Sequence, residues 1–494
     1  MNKKVKSILW GSGIIVVLGI AVAVLMLTQA DPQEEIDRHA SSLAAKLVTL
    51  VNEQSSDVES LHIKNELDEY TITRAGEGVW RIPEIAEFAQ QDYLYLETLG
   101  QASNINANEV IEENCTDLSK FGLDRPKLVI DVTYVNGNEY HLTVGNRAPG
   151  SGAQYIMQEG DSTVYALPST SIPNLYYNRH EYTEKTVIET FDPEDPSTVP
   201  HIDYVKIDRP DLEQPIIMES MTQEELGPNA VIQTNLRLKS PVNAMLSETP
   251  LQTYVFALFG MTGSEVVAAN PTPEELTQYG FDEPSSTYEL RYNETSTVKL
   301  TTGYKVRGQS YPDENGNTYE TDCYYVIKEG INQIYVVPTQ MVTWMEMQPK
   351  DIISSAAVLP NILDIESLET VVEGRKTVVD FTLGEDPTKS SDITAALNGE
   401  AHDIEPVRSY LQLIMGTAIQ DIYTGEVTGE PVFRADYHYR SGKTDTIEVY
   451  LLADRTAVLS LNGNKGFLGR AGYVDKIVKE TQNLLDGKEI DINW

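Results

Sequence analysis

In many short stretches of this chain, apolar and polar residues alternate with period two. Val132-Thr133-Tyr134 and Phe433-Arg434-Ala435-Asp436-Tyr437 are examples. Such alternation builds a strand with one buried and one wet face. Together with turns at Asn136-Gly137 and Ser441-Gly442, it predicts antiparallel hairpins.

A different pattern opens the chain. Ile8 to Leu27 run for twenty residues without a charge, after Lys3, Lys4 and Lys6 and before Asp31, Glu34 and Glu35. Twenty residues at ~1.5 Å each match the roughly 30 Å hydrocarbon core of a bilayer. Lysines before the span set the N-terminus in the cytoplasm and the bulk of the chain outside. Thr28-Gln29-Ala30 offers a competing reading, a cleaved secretory signal, but secretory apolar regions are shorter, about 7–15 residues. A cytoplasmic tail and retained single-pass anchor over 1–30, in contact with the lipid bilayer, is the expectation. Beyond it, Ile36, Leu43, Leu47, Leu50 and Val51 recur at helical spacing and predict a helical stalk over 31–57.

The strand groups repeat. Phe121-Gly122-Leu123-Asp124-Arg125-Pro126 returns 158 residues later as Tyr279-Gly280-Phe281-Asp282-Glu283-Pro284. Before each lies a helical stretch closed by glycine, Tyr93 to Leu99 with Gly100 and Leu251 to Phe259 with Gly260. A third stretch, Val407 to Met415 with Gly416, is followed by Gly429-Glu430-Pro431 instead of the motif. Strand patterns precede each helix, at Ser60–Ile63, Tyr70–Thr73 and Trp80–Ile82, then Tyr204–Ile207, Ile216–Glu219 and Leu236–Leu238, then Leu368–Val372 and Thr377–Leu383. Others follow it, beginning with Leu128–Tyr134, Thr287–Tyr292 and Val432–Tyr439.

The expected fold class is α+β: an N-terminal transmembrane helix followed by three related repeats, each an antiparallel sheet packed with one main helix. The repeats span 58–197, 198–362 and, divergently, 363–494. Asp192-Pro193-Glu194-Asp195-Pro196 and Pro360 mark the linkers.

Charge removes whole classes of function. With 37 basic and 75 acidic residues the net charge is −38, which repels nucleic acid and anionic lipid head groups at long range and excludes both as partners. Cys115 and Cys323 fall in different repeats and are expected to be separate thiols, Cys323 on the buried face of a strand.

Candidate chemistry is sparse. In Thr272-Pro273-Glu274-Glu275 a threonine cap, a first-turn proline and two acids start a short helix. Gly280 ends it in the left-handed conformation, and Asp282 bonds nearby amides. Asp124 and Asp282 are therefore turn residues first and ligand groups only as the alternative. Gly145 to Gly152 lacks the Lys-Ser/Thr of a phosphate loop. Asp313, Asn315, Asn317 and Glu320 gather oxygen ligands, but glycine and closing acid are misplaced for an EF-hand, so a hairpin tip is expected.

The histidines at positions 39, 62, 141, 180, 201, 402 and 438 are dispersed, without metal spacing. No nucleophile elbow occurs. No catalytic, cofactor-binding or metal residue is assigned and no cofactor is implied, although paired carboxylates leave no signature among 75 acids.

The lysine-rich start, the apolar span, Trp80-Arg81-Ile82, the two Gly-[Leu/Phe]-Asp-x-Pro motifs and Leu-Thr-x-Gly at Leu142–Gly145 and Leu300–Gly303 resemble a bacterial family, domain-of-unknown-function family 4340. The resemblance covers residues 58–350 and reaches the third repeat only through element order. It implies a place in the cell envelope beside ABC-type transporters, near whose genes members are often encoded. A related region occurs in an auxiliary component of gliding-motility transporters. No catalytic residues come with it. The expectation is a single-pass extracytoplasmic interaction or accessory module whose partner is a membrane complex of the ABC-transporter type. The alternatives are an envelope glycan hydrolase using paired carboxylates and a receptor holding an extracellular ligand between repeats.

Overall fold

The computed structural model describes residues 47–222, 236–247, 252–356 apart from 313–317, and 358–493 apart from 387, 417–418 and 471. It is an α+β structure of antiparallel sheets with few helices. The chain forms two compact units that divide between Glu184 and Lys185.

The first unit contains β1 (Val48–Asn52), β2 (Val58–Asn65), β3 (Glu69–Gly76), β4 (Val79–Arg81), α1 (Asp92–Ser103), β5 (Asn104–Ala107), β6 (Glu109–Glu112), β7 (Leu128–Tyr134), β8 (Glu139–Arg147), β9 (Ala153–Gln158) and β10 (Val164–Pro168). Eight of them form one sheet in the order β4-β3-β2-β7-β8-β9-β10-β6, and β1 pairs with β5 as a separate ribbon. Leu61, Ile63, Ile72, Ile130, Val132, Leu142 and Val144 are buried. They alternate with outward residues such as His62, Asp131 and His141, so one face of the sheet is dry and the other wet. Tyr95, Leu99 and Ala102 are the buried stripe of α1, which lies against β2, β4 and β5. Removing these side chains from water stabilises the unit by roughly 1.5–3 kcal/mol for each large one.

Two expectations need correction here. Gly100 does not end the helix; α1 continues to Ser103, and a glycine inside a helix is tolerated at a cost of about 1 kcal/mol. The end of the expected stalk is not helical either. Val48–Asn52 is β1, paired with β5, because its β-branched Val48, Thr49 and Val51 favour extended backbone and the pairing buries Leu50 and Val51. Residues 31–46 and the apolar span 8–27 lie outside the described residues. Among the described residues no helix is long and apolar enough to cross a membrane.

The second unit holds two sheets on one continuous core. The first contains β11 (Ile202–Asp208), β12 (Ile216–Ser220), β13 (Leu236–Ser240), β14 (Ala244–Met245), β15 (Glu265–Ala269), α2 (Pro273–Gln278), β16 (Ser286–Tyr292), β17 (Ser296–Pro312), β18 (Thr318–Lys328) and β19 (Gln333–Pro338), followed by the short α3 (Pro349–Ile352). The last sheet contains β20 (Ile365–Val372), β21 (Arg375–Thr382), β22 (Thr394–Leu397), β23 (Glu400–His402), α4 (Ile404–Met415), β24 (Asp421–Ile422), β25 (Phe433–Tyr439), β26 (Thr444–Leu451), β27 (Ala457–Leu461), β28 (Asn464–Leu468) and then α5 (Tyr473–Leu485).

The orders are β14-β13-β12-β11-β16-β17-β18-β19-β15 and β23-β22-β21-β20-β25-β26-β27-β28-β24. The helix expected at Leu251–Phe259 is reduced to a short helical turn at 252–254 and a 3-10 turn at Phe256–Leu258. α5 was not expected; its buried Tyr473, Ile477, Thr481 and Leu484 carry the helical spacing that could have found it.

All three sheets run in one sense: upstream strands in reverse chain order, four downstream strands in chain order, and the short strand between them last, at the far edge. The central pairs also share an irregularity. Val58, Ile202 and Ile365 face Tyr134, Tyr292 and Tyr439, and in each case the register slips within the next two residues. A bulge of this kind bends the strand locally.

Candidate functional site

The glycine motif turns out to be a latch that holds a helical turn on the sheet. Asp117 caps the 3-10 turn Leu118–Phe121, and Gly122 ends it at φ +70°. In the second copy Thr272 and Glu275 form a reciprocal capping box on α2, and Gly280 stands at φ +85°. The amides of Leu123 and Phe281 donate back to the carbonyls of Leu118 and Leu276 at 3.1 and 2.8 Å, which satisfies carbonyls the helix end would leave open.

The aromatic residue before each glycine stacks edge-on against the sheet, Phe121 on Tyr155 at 4.8 Å and Tyr279 on Tyr325 at 4.6 Å. The Leu-Thr-x-Gly glycine receives the turn. A Cβ on Gly145 or Gly303 would overlap the carbonyl oxygen of Phe121 or Tyr279. Asp282 accepts from the amide of Glu283 at 3.1 Å, a turn bond. These residues hold the fold together.

A second correspondence lies at the same end of the sheets. Asn65, at the end of β2, donates to the carbonyls of Leu175 (3.1 Å) and Tyr177 (2.8 Å). Arg209, just past β11, donates to those of Trp344 and, at 3.0 Å, Met347. Arg209 is 3% exposed, and its other edge is held by Asp211 at 2.9 Å.

Chemistry-bearing side chains meet on the open face of the first sheet. His62, Asp131 and His141 stand in one row across β2, β7 and β8. His62 Nδ1 lies 2.9 Å from one oxygen of Asp131, and His141 Nδ1 lies 3.1 Å from the other. The hydrogen bond to Asp131 holds the His141 pKa above its ordinary value, ahead of the opposing effect of burial. Sequence reasoning left these histidines dispersed, because only strand register brings positions 62, 131 and 141 together. The available signal was that all three sit at outward positions of alternating strands.

The other described histidines stay apart. His201 faces Asp203 at 3.6 Å, His402 the carbonyl of Asp403 at 2.9 Å, and His438 the hydroxyl of Thr444 at 3.0 Å; His39 is outside the described residues. Among the described residues no group of three His, Cys, Asp or Glu is arranged to hold a metal ion.

In the last sheet an open groove of about 620 Å³ is floored by Val371, Val432, Leu451, Val474 and Val478 and rimmed by Arg434, Lys479, Glu373, Glu430 and Asp475. Its three acids are exposed. The buried carboxylates among the described residues are Asp436 and Glu480. Burial alone would raise Asp436, but Arg434 at 2.9 Å and the Thr446 hydroxyl at 2.6 Å outweigh it and pull its pKa down. Glu480 is likewise lowered, its burial offset by Asn483, the Asp491 amide and Lys479.

The calcium-like loop residues Asp313, Asn315 and Asn317 lie outside the described residues, and the strands flanking them pair as a hairpin, Pro312 opposite Thr318. Gly145 to Gly152 spans the end of β8 and its turn into β9. Cys115 and Cys323 are buried free thiols.

Fold and surface thus define an α+β protein of antiparallel sheets. Residues 80–206 match the model of a family described as a domain of unknown function (DUF4340). The match begins at Trp80 of the Trp-x-Ile motif and includes the first glycine latch. No curated protein and no solved structure matches the chain.

Proposed function

We propose that the chain is a membrane-anchored extracytoplasmic accessory module, built from three copies of one unit at 58–197, 198–362 and 363–494, that works beside an ABC-type transporter. The observation carrying this reading is the recurring sheet: all three share one strand order and a register shift at the same place on the central pair, and the outward positions of the central strands form in-register rows of side chains. That is the build of a display scaffold. The lysine-flanked apolar span supports the anchor, and the transporter rests on the family resemblance.

The test has two parts. Protease added outside intact cells should degrade the chain from about Asp31 onward; protection of the large units would overturn the topology. A photo-cross-linking residue placed at Glu139, on the wet face of β8, should yield an adduct with a transporter subunit. Hydrolysis of envelope glycan by the purified chain, with no such adduct, would replace this reading with the enzyme.

A further inference from the structure

Two imidazoles share one carboxylate in the first sheet. An ionised carboxylate only accepts, so Nδ1 of both His62 and His141 must carry a proton, which leaves each Nε2 to gain or lose one. The charged groups facing the pair come from every neighbouring strand. Glu69 of β3 lies 3.4 Å from His62 Nε2 and also takes Lys64 of β2 at 2.8 Å. Glu139 of β8 lies 3.9 Å from His141 Nε2, and Glu159, just past β9, adds its negative field. Against this one lysine stand four acids, Asp131 included. With both imidazoles neutral the row carries a charge of −1; with both protonated it carries +1.

The corresponding row of the next sheet shows what that difference amounts to. Lys206 faces Glu289, and Glu289 faces Lys299, at the same places on the central strands as His62, Asp131 and His141. There lysine, glutamate and lysine stand in the row, with Lys206 near Asp208 (3.5 Å), Glu289 near Arg291 (3.5 Å) and Lys299 near Glu329 (3.1 Å). Histidine is the side chain whose ordinary charge change falls between about pH 5 and 8.

We propose that the His62–Asp131–His141 row is a pH-sensitive switch: acidification turns the open face of the first sheet from anionic to the cation–anion–cation pattern and ties β2, β7 and β8 together through Asp131. The device rests on geometry that no single strand contains, and it is independent of any transporter.

The test uses the full-length chain with isotope-labelled histidine, its resonances assigned through His62→Gln and His141→Gln. Nitrogen shifts should show the Nδ1-protonated tautomer for both residues when neutral. The titration midpoint of His141 should fall by about half a unit or more in Asp131→Asn, as expected when a nearby opposite charge is removed. Backbone amides of Leu61, Ile130 and Leu142, corrected for intrinsic exchange, should exchange several-fold more slowly at pH 6 than at pH 8 in the native chain but not in Asp131→Asn. An Nε2-protonated neutral tautomer, or a His141 midpoint indifferent to Asp131→Asn, would overturn the proposal. Asp131 lies at the surface, 34% exposed in its side chain, so the variant keeps the core intact.

Discussion

The wet rows of the first two sheets differ while the machinery beneath them does not. His62–Asp131–His141 and Lys206–Glu289–Lys299 occupy matching registers, and the third sheet places Glu369, Asp436 and Thr446 there. By contrast, the latch glycines and the stacked aromatic recur from the first sheet to the second with the same contacts, and a donor to two carbonyls recurs with another side chain, Asn65 in the first and Arg209 in the second. Inward and latch positions are bound by packing and steric overlap, which admit few residues. Outward positions answer only to solvent and to whatever they meet, so they are free to diverge. If the sheets are scaffolds, their specificity lies in these rows.

The largest effect should come from the latch. Gly145→Ala and Gly303→Ala each place a Cβ onto a backbone carbonyl that cannot swing aside. Each should cost about 3 kcal/mol, the upper range for overpacking, read as a loss of amide protection in β7–β8 or β16–β17. Equal costs would confirm that the two latches are one device, and a large effect in one sheet alone would break the comparison.

Next come the carbonyl holders. Arg209→Met leaves the Trp344 and Met347 carbonyls without their donor, whereas Asn65→Leu does so only to Leu175, because Tyr177 keeps the Tyr70 hydroxyl at 3.2 Å. An unsatisfied buried acceptor costs about 1–3 kcal/mol. Arg209→Met should be the more damaging because the residue is itself buried, measured as the shift in denaturant midpoint.

Gly122→Val and Gly280→Val should follow at about 1–2 kcal/mol, from holding a β-branched residue in left-handed backbone. Their neighbours, Asn146 and Tyr304, are exposed side chains and can move away. Asp282→Ala should cost less than Gly280→Val, since it removes one turn bond.

The smallest expected effect is electrostatic. The folded-state pKa of His141 is raised, so its contribution to stability is fully present below the unfolded value of about 6.5 and is lost as pH rises through the folded one. Thermal unfolding of the first unit should therefore fall slightly on going from pH 6 to 8, and His141→Gln should flatten that slope. Lys206→His with Lys299→His should introduce a matching slope in the second sheet. A slope unchanged by His141→Gln or by the two lysine-to-histidine substitutions would separate the two rows in kind.

Much of the strand plan was legible from local pattern. Leu128–Tyr134 has the expected strand limits, because alternation in a half-buried strand is dictated residue by residue; Ala457–Leu461 also has them, but as a continuous apolar run buried on both faces. The left-handed Gly122 and Gly280 were legible too, since few residues other than glycine tolerate that backbone. Edge strands such as β6, β14 and β24 were not: they are short, and much of their pairing information lies in the neighbour. The helix at Leu251–Phe259 failed for a related reason, its apolar residues being drawn into the core of the second unit as a 3-10 turn.

The amino-acid sequence by itself determined the longer alternating strands, the turns at Asn136-Gly137 and Ser441-Gly442 and the left-handed Gly280 of the repeated motif, all of which depend on contacts within a few residues or on repetition. Register and strand order were decided only by the tertiary structure. Pairing positions 62, 131 and 141 in one row requires three strands to meet at one alignment, and that alignment is set by burying the opposite face of the sheet rather than by the histidines themselves.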